Sequence, residues 1–168
     1  MRKRASMALL CVVLALSVIE CAQAEKKVLF VCTGNYYRSR FAEALFNQGA
    51  RDTSLRWKAI SRGLQIKEGR NGISPLCEDA LTTRGVPQEL FKGNPQALTQ
   101  DDLGKSDYVV LMDEAEHRPI FEKQFPGQDN RKLHFWHIPD DPKMSPPDAF
   151  QEMSRQVADL LHSLAAAK

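Results

Sequence analysis

Apolar residues along this chain fall into short unbroken runs and longer spaced stripes, and the two patterns alternate. Val28-Leu29-Phe30-Val31 follows two lysines without a polar break, which suits a strand buried on both faces. Beyond the segment Cys32 to Ser39, Phe41, Ala42, Leu45 and Phe46 recur at helical spacing, with Gly49 as the expected stop. Leu55, Trp57 and Ala59 alternate with Arg56 and Lys58, the period of a second strand. Ser61 to Gly72 is polar and glycine-rich and reads as a loop. Ser74-Pro75 opens a helix, with Ser as N-cap and Pro at the first helical position. Leu76, Cys77, Ala80 and Leu81 form its apolar face, and Gly85 ends it. Thr99 and Asp102 have the spacing of a capping box for a short helix. Tyr108 to Met112 reads as a third strand, ending at Asp113, and Glu114 to Phe125 as a helix with a bend expected at Pro119. Leu133 to Ile138 is the last strand, followed by a loop with four prolines from Pro139 to Pro147. Phe150, Met153, Val157, Leu160, Leu161 and Leu164 then make one stripe on a closing amphipathic helix.

Strands that alternate with helices, two of them apolar throughout, predict an α/β fold: a four-stranded parallel sheet flanked by helices on both faces. Ligands of such sheets sit beyond the carboxyl ends of the strands. Three polar features fall there: Cys32 after the first strand, Asp113 after the third, and Asp140 with Asp141 after the fourth.

Composition changes this picture at the amino terminus. Arg2, Lys3 and Arg4 precede an uncharged run from Met7 to Ile19, and Ala22-Gln23-Ala24 follows. That is the layout of a secretory signal, with cleavage expected after Ala24. The expected division is therefore a signal over residues 1–24 and a single domain over 25–168, exported to a periplasm or secreted, with no membrane attachment once cleaved. The whole chain has 23 Lys and Arg against 21 Asp and Glu; setting aside Arg2, Lys3, Arg4 and Glu20 leaves 20 of each. A balanced domain offers no basic patch for nucleic acid. Cys11 and Cys21 go with the signal, leaving Cys32 and Cys77. In an exported protein two cysteines are the makings of one disulfide, and the alternative is chemistry at Cys32.

The segment after the first strand favours the chemistry. It leaves a buried strand and enters a helix, and Gly34 is expected to take a positive φ so that successive amides turn inward as an anion nest. The helix N-terminus adds partial positive charge. Arg38, six residues after Cys32, can fold over the same concavity, where its planar fork matches two phosphate oxygens. Such a field stabilises a thiolate, and a thiolate beneath bound phosphate is placed in line with phosphorus. Cys77, on the apolar face of a helix, reads as a core residue.

The run VLFVCTGNYYRSRFAEALF resembles the signature of the low-molecular-weight protein tyrosine phosphatases. The resemblance continues at Ser61-Arg62-Gly63, Leu111-Met112-Asp113 and Asp141-Pro142, and spans Lys27 to Ala167. It implies metal-free, cofactor-free hydrolysis of a phosphorylated protein or a small phosphomonoester. By position it implies Cys32 as nucleophile, Arg38 as phosphate ligand and transition-state stabiliser, and Asp141 as general acid. Thr33, Gly34, Asn35, Tyr36, Tyr37 and Ser39 would line the phosphate loop. Asn35 would hold the loop's strained shape, and Ser39 would hydrogen-bond the thiolate. Asp140 is a rival acid, because Pro139-Asp140-Asp141-Pro142 holds one residue more than the usual spacing, and Asp113 is expected to support the loop. Nothing in the chain specifies an oligomeric state.

Several departures from the family pattern bear on chemistry. Tyr37 stands where the family usually has a second cysteine, so an oxidised Cys32 lacks its close resolving thiol. Lys143-Met144-Ser145 replace the tyrosines that often follow Asp-Pro. Tyr36 replaces the small Thr of phosphoarginine-hydrolysing relatives. Two other readings remain open: arsenate reductase on the same scaffold, which needs relay cysteines absent from Leu111 to Phe125, and a non-catalytic phosphate-binding protein. A metal site is not expected, since His134 and His137 on a strand would face opposite ways and no histidine shows ligand spacing with cysteine.

Overall fold

The structure, a computed structural model, describes residues 25–167. The expected signal over 1–24 lies outside the described residues. Strands β1 (Lys26–Cys32), β2 (Trp57–Gly63), β3 (Tyr108–Leu111) and β4 (Leu133–Phe135) form one sheet in the order β2-β1-β3-β4. Every strand pair is parallel, with Cys32 level with Gly63 and Val31 level with Leu111. Helices α1 (Arg38–Asp52), α2 (Pro75–Thr83), α3 (Gln100–Gly104), α4 (Glu114–Gln124) and α5 (Pro146–Ala166) supply the crossovers and the closing element.

The unbroken apolar run of β1 has its predicted cause. β1 is central, so its alternate side chains enter two separate cores. Val28 and Phe30 pack with Phe41, Phe46, Phe150 and Met153 from α1 and α5. Leu29 and Val31 pack with Leu103 and Phe121 from α3 and α4. All four β1 residues are fully buried, and each such side chain contributes about 1.5–3 kcal/mol. The loop after β1 is thereby hung from the most rigid strand of the sheet.

Four local expectations need correction. Helix α1 does not stop at Gly49 but continues to Asp52. Gly49 is a packing residue: a Cβ there would lie 2.4 Å from Leu161 Cδ1 on α5. Ser61-Arg62-Gly63 belongs to β2 rather than to a loop, because its register against β1 runs through Cys32. Leu76 is exposed, so Cys77 and Leu81 alone form the buried face of α2. The last strand ends at Phe135; Trp136 and Ile138 remain buried and are tied to Leu111 and Met112 by backbone bonds. The capping box appears as predicted, with Thr99 and Asp102 bonding each other's backbone amides. Helix α4 continues across Pro119. Among the described residues no helix is long and apolar enough to cross a membrane, and no group of three or more His, Cys, Asp or Glu is placed to hold a metal ion. His134 instead stacks on Tyr108 at 3.7 Å between centroids.

Candidate active site

The loop between β1 and α1 is shaped by where its carbonyls go. Leu64 N donates to Cys32 O (3.0 Å), Gln65 N to Thr33 O (2.7 Å), Ser74 N to Tyr36 O (2.8 Å) and Phe41 N to Tyr37 O (3.0 Å). Four carbonyls are thus turned outward. The amides of residues 34–37 donate to no acceptor among the described residues. Asn35 is buried and the other three residues are partly buried; a run of unpaired amides at a helix N-terminus is the kind of site that selects an anion.

The positive φ expected at Gly34 is found at Asn35 instead, at 47°. Asparagine tolerates that region when its side chain is bonded locally, and here the side chain is fully used. Asn35 Nδ2 donates to Ser39 Oγ (3.0 Å) and Ser61 Oγ (2.8 Å), and Oδ1 accepts from Gln96 N (2.8 Å). These bonds set proton directions. Ser39 Oγ accepts from Asn35, so its own proton is available to Cys32 Sγ at 3.0 Å. Ser61 likewise accepts from Asn35 and donates to Glu43 Oε2 at 2.6 Å. Burial raises the pKa of Glu43, only partly offset by Ser61 and by Arg40 and Arg62.

Gly63 lies against the back of this turn. A Cβ there would meet Asn35 N at 2.9 Å and Gly34 C at 3.0 Å, both backbone atoms that cannot swing away. Gly63→Ala is therefore expected to lower stability by about 1–3 kcal/mol, the usual range for overpacking. Thermal unfolding reads the loss, and an unchanged transition would refute the close fit.

Arg38 is fully buried at the far end of the loop. Its two terminal nitrogens bind Glu116 Oε2 and Oε1, both at 2.8 Å, and Nη1 also donates to Ile138 O at 3.0 Å. Nη2 lies 3.3 Å from Asp140 Oδ2. The Nε edge makes no hydrogen bond to a described residue. Glu116 also accepts a short bond from Thr33 Oγ1. It therefore joins the residue after Cys32 to the arginine that closes the loop. His117 is buried behind it, with Nδ1 2.9 Å from both the amide and the carbonyl of Asp113 and Nε2 facing Thr33 Oγ1 at 3.2 Å and Glu116 Oε1 at 3.4 Å. Asp113 supports the loop indirectly, as the N-cap of α4 that fixes Glu116 N at 2.9 Å.

Glu116 and His117 were not foreseen, and no local pattern marks them; they reach the site only through the β3–α4 turn. Burial alone would raise the Glu116 pKa. Hydrogen bonds from His117, Arg38 and Thr33 outweigh it and hold the carboxyl well below the usual carboxylate range. Burial likewise opposes the Arg38 charge, but the Glu116 bonds, Cys32 and Asp140 raise its pKa. A carboxyl whose folded pKa is depressed stabilises the fold above its unfolded pKa, near 4.3 for Glu. That contribution is lost as pH falls below it. Glu116→Gln should flatten the acid side of the stability profile between about pH 5 and pH 3, measured by urea unfolding at each pH. An acid limb as steep as that of the unaltered protein would refute the assignment.

The remaining expected residues separate clearly. Tyr37 does not line the cradle with its side chain. Its ring packs edge-on against Phe150 at 5.1 Å and its hydroxyl donates to Pro146 O at 3.3 Å. Burial pushes the Tyr37 phenol up. Tyr36 stays at the mouth, with the Arg70 guanidinium 4.2 Å above its ring. Cys32 and Cys77 are both free and buried, so the disulfide alternative is not formed. The Cys77 thiol points at Tyr37 O (3.7 Å), and burial raises its pKa to about 12. Asp140 uses one carboxylate oxygen toward Arg38 and the other as acceptor for Asp141 N at 3.1 Å. The exposed Asp141 carboxylate bonds no described residue.

The sequence pattern described as low molecular weight phosphotyrosine protein phosphatase matches residues 27–167. A human protein of that description is 31% identical over 103 residues, covering 60% of this chain and 63% of its own length. Arsenate reductase 2 of Staphylococcus haemolyticus is 26% identical over 141 residues, covering 83% of this chain and 95% of its own. Among solved structures, YfkJ from Bacillus subtilis superposes with a TM-score of 0.76 at 23% identity, covering 88% of this chain and 99% of its own, a likeness of fold.

Proposed function

This chain belongs to the low molecular weight phosphotyrosine protein phosphatase family, and on that premise we propose that it hydrolyses phosphomonoesters, phosphotyrosine proteins or aryl phosphates, through a phosphocysteine at Cys32. One observation carries the reading. Cys32 Sγ receives the Ser39 hydroxyl at 3.0 Å at the start of a loop whose amides over residues 34–37 are unpaired and whose far end carries Arg38.

The steps follow from that placement. Phosphate oxygens settle on the loop amides and the Nε edge of Arg38. The Cys32 thiolate, stabilised by the Ser39 proton and the helix N-terminus, attacks phosphorus. A sulfur–phosphorus bond forms as the bond to the leaving oxygen breaks. The amides and Arg38 hold the charge that spreads over the equatorial oxygens. Asp141 gives its proton to the leaving oxygen. It then takes a proton from the water that attacks the phosphocysteine, which releases inorganic phosphate and restores the thiolate. Asp141 suits this role better than Asp140, whose carboxylate is tied to Arg38 and to the Asp141 amide. The scheme needs no metal or cofactor.

The arsenate reductase relatives favour a second reading, since arsenate fits the same loop. Reduction would need a thiol relay. The thiol at hand, Cys77, is buried, bonded to a loop carbonyl and high in pKa, and so a poor relay. We also propose export, on the basic start, apolar run and Ala22-Gln23-Ala24 of residues 1–24. The test of function is hydrolysis of an aryl phosphate by the reduced protein with chelator present, and acid-quench capture of phosphate on Cys32. Hydrolysis with capture is expected. No turnover across pH 5 to 8 would overturn the enzyme reading in favour of a phosphate-binding protein, and arsenate-dependent consumption of reductant would favour the second.

A further inference from the structure

The segment from Leu64 to Ile73 forms one wall of the mouth above the phosphate loop. Its ends are sewn to the loop by the bonds Leu64 N to Cys32 O, Gln65 N to Thr33 O and Ser74 N to Tyr36 O. Its middle reverses at Gly69 (φ 73°) and Gly72 (φ 66°), and Gly72 N donates to Asn94 Oδ1 at 3.0 Å. The wall is thus held from both ends and across its tip, and Arg70 lies on it.

Arg70 is placed unlike most of the arginines; Arg84 shares its stacking on aromatic rings but spends its Nη1 on Ala80 O at 2.8 Å. Arg38, Arg40, Arg51, Arg62, Arg118, Arg131 and Arg155 each have a carboxylate partner. Among the described residues Arg70 has none. Its guanidinium lies 4.2 Å from the centroid of Tyr36, and its Nη1 lies 3.6 Å from where a Cβ on Gly34 would stand. The group therefore spans the loop rim from residue 34 to residue 36. Stacking on an aromatic face restrains a guanidinium without using its N–H donors. The result is a half-exposed, held cation with open donors beside an anion cradle.

We propose that Arg70, held on Tyr36, binds a second anionic group of the substrate, and that this chain prefers phosphomonoesters carrying a carboxylate or phosphate close to the scissile phosphate. The inference rests on the phosphate-loop reading above for the first anion, and not on turnover. An acidic residue beside a phosphotyrosine and a second anionic group on a small aromatic ester offer the same chemistry.

Affinity measured on the Cys32→Ser protein tests this without hydrolysis. Two matched pairs serve as probes: a phosphotyrosine peptide with flanking Asp against the same peptide with Asn, and phenyl phosphate with against without a ring carboxylate. The acidic member of at least one pair is expected to bind about fivefold tighter at low salt, the scale of a partly exposed charge pair. Adding Arg70→Gln should bring that ratio to about one. Arg70→Glu should invert it, and added salt should shrink it. Preference confined to the peptide pair identifies a protein source of the second anion; preference confined to the ester pair identifies a small molecule; both outcomes support the site. No preference in either pair, or a preference that survives Arg70→Gln, overturns it. Failure of all four probes to bind overturns the phosphate-loop reading as well, whereas a preference on Cys32→Ser combined with no turnover by the unaltered protein overturns only the enzyme reading.

Discussion

Cys32→Ser is expected to reduce turnover of an aryl phosphate by at least about 10⁴-fold, the scale seen when a covalent nucleophile is removed, while phosphate still binds. A serine hydroxyl stays protonated in the field that favours a thiolate. Ser39 then has no anion to receive its proton. The binding parts make no hydrogen bond to the sulfur: the amides of residues 34–37 are unpaired, and Arg38 is held by Glu116 and Ile138 O. Oxygen is smaller than sulfur, so the substitution adds no volume to a site that is 3% exposed and packed into the α1–α5 core. Steady-state rates, acid-quench capture and phosphate affinity read the three consequences together. Turnover within tenfold of the unaltered protein, or capture of phosphate on another residue, would sink the covalent mechanism.

Asp141→Asn should lower kcat by about 10²–10³-fold on a phenyl or alkyl phosphate, within the range for a lost general acid, and by much less on p-nitrophenyl phosphate. The difference arises because nitrophenolate leaves without a proton. Asp140→Asn should act mainly through KM. It removes a carboxylate 3.3 Å from Arg38 Nη2, which lowers the negative charge that an incoming phosphate must displace or tolerate. Parallel rate measurements on substrates of graded leaving-group pKa separate the two. If Asp140→Asn carries the steep dependence instead, the acid is Asp140, and the arginine contact opens on substrate binding.

The exposed tip of that loop shows why one position differed from its neighbours in legibility. Asp140 and Asp141 are adjacent and chemically identical in sequence. Their separation into an arginine partner and an unbonded carboxylate depends on where Arg38 lies, 102 residues earlier in the chain. The same distance in sequence hid Glu116. Its bonds to Arg38 and Thr33 span 78 and 83 residues, and nothing in the local Asp-Glu-Ala-Glu-His pattern separates Glu116 from Glu114, whose carboxylate bonds Arg118 on the helix surface. Gly34 was misjudged for a related reason. A glycine is the cheapest site for a positive φ. Asn35 can take it because Ser39 of α1, Ser61 of β2 and the loop residue Gln96 converge on its side chain.

Local rules were enough wherever the cause was local. The unbroken run Val28 to Val31 required two-sided burial, and β1 is the central strand with a core on either side. The alternation of strands and helices required a parallel sheet, and it placed Cys32, Asp113 and Asp140-Asp141 at one end of it. Strand-loop-helix geometry, the six-residue step from Cys32 to Arg38, and the capping box of Thr99 all follow from short-range sterics and hydrogen bonding, which a sequence carries in its spacing. The partners of those groups follow from packing. Glu116 behind Arg38, Ser61 behind Asn35, Gly63 against the loop backbone and Arg70 over Tyr36 meet only after the sheet has brought distant segments within a few ångströms. Position along the chain sets which groups exist at the site; the docking of β2, the 64–73 wall and α4 around one loop sets which of them touch.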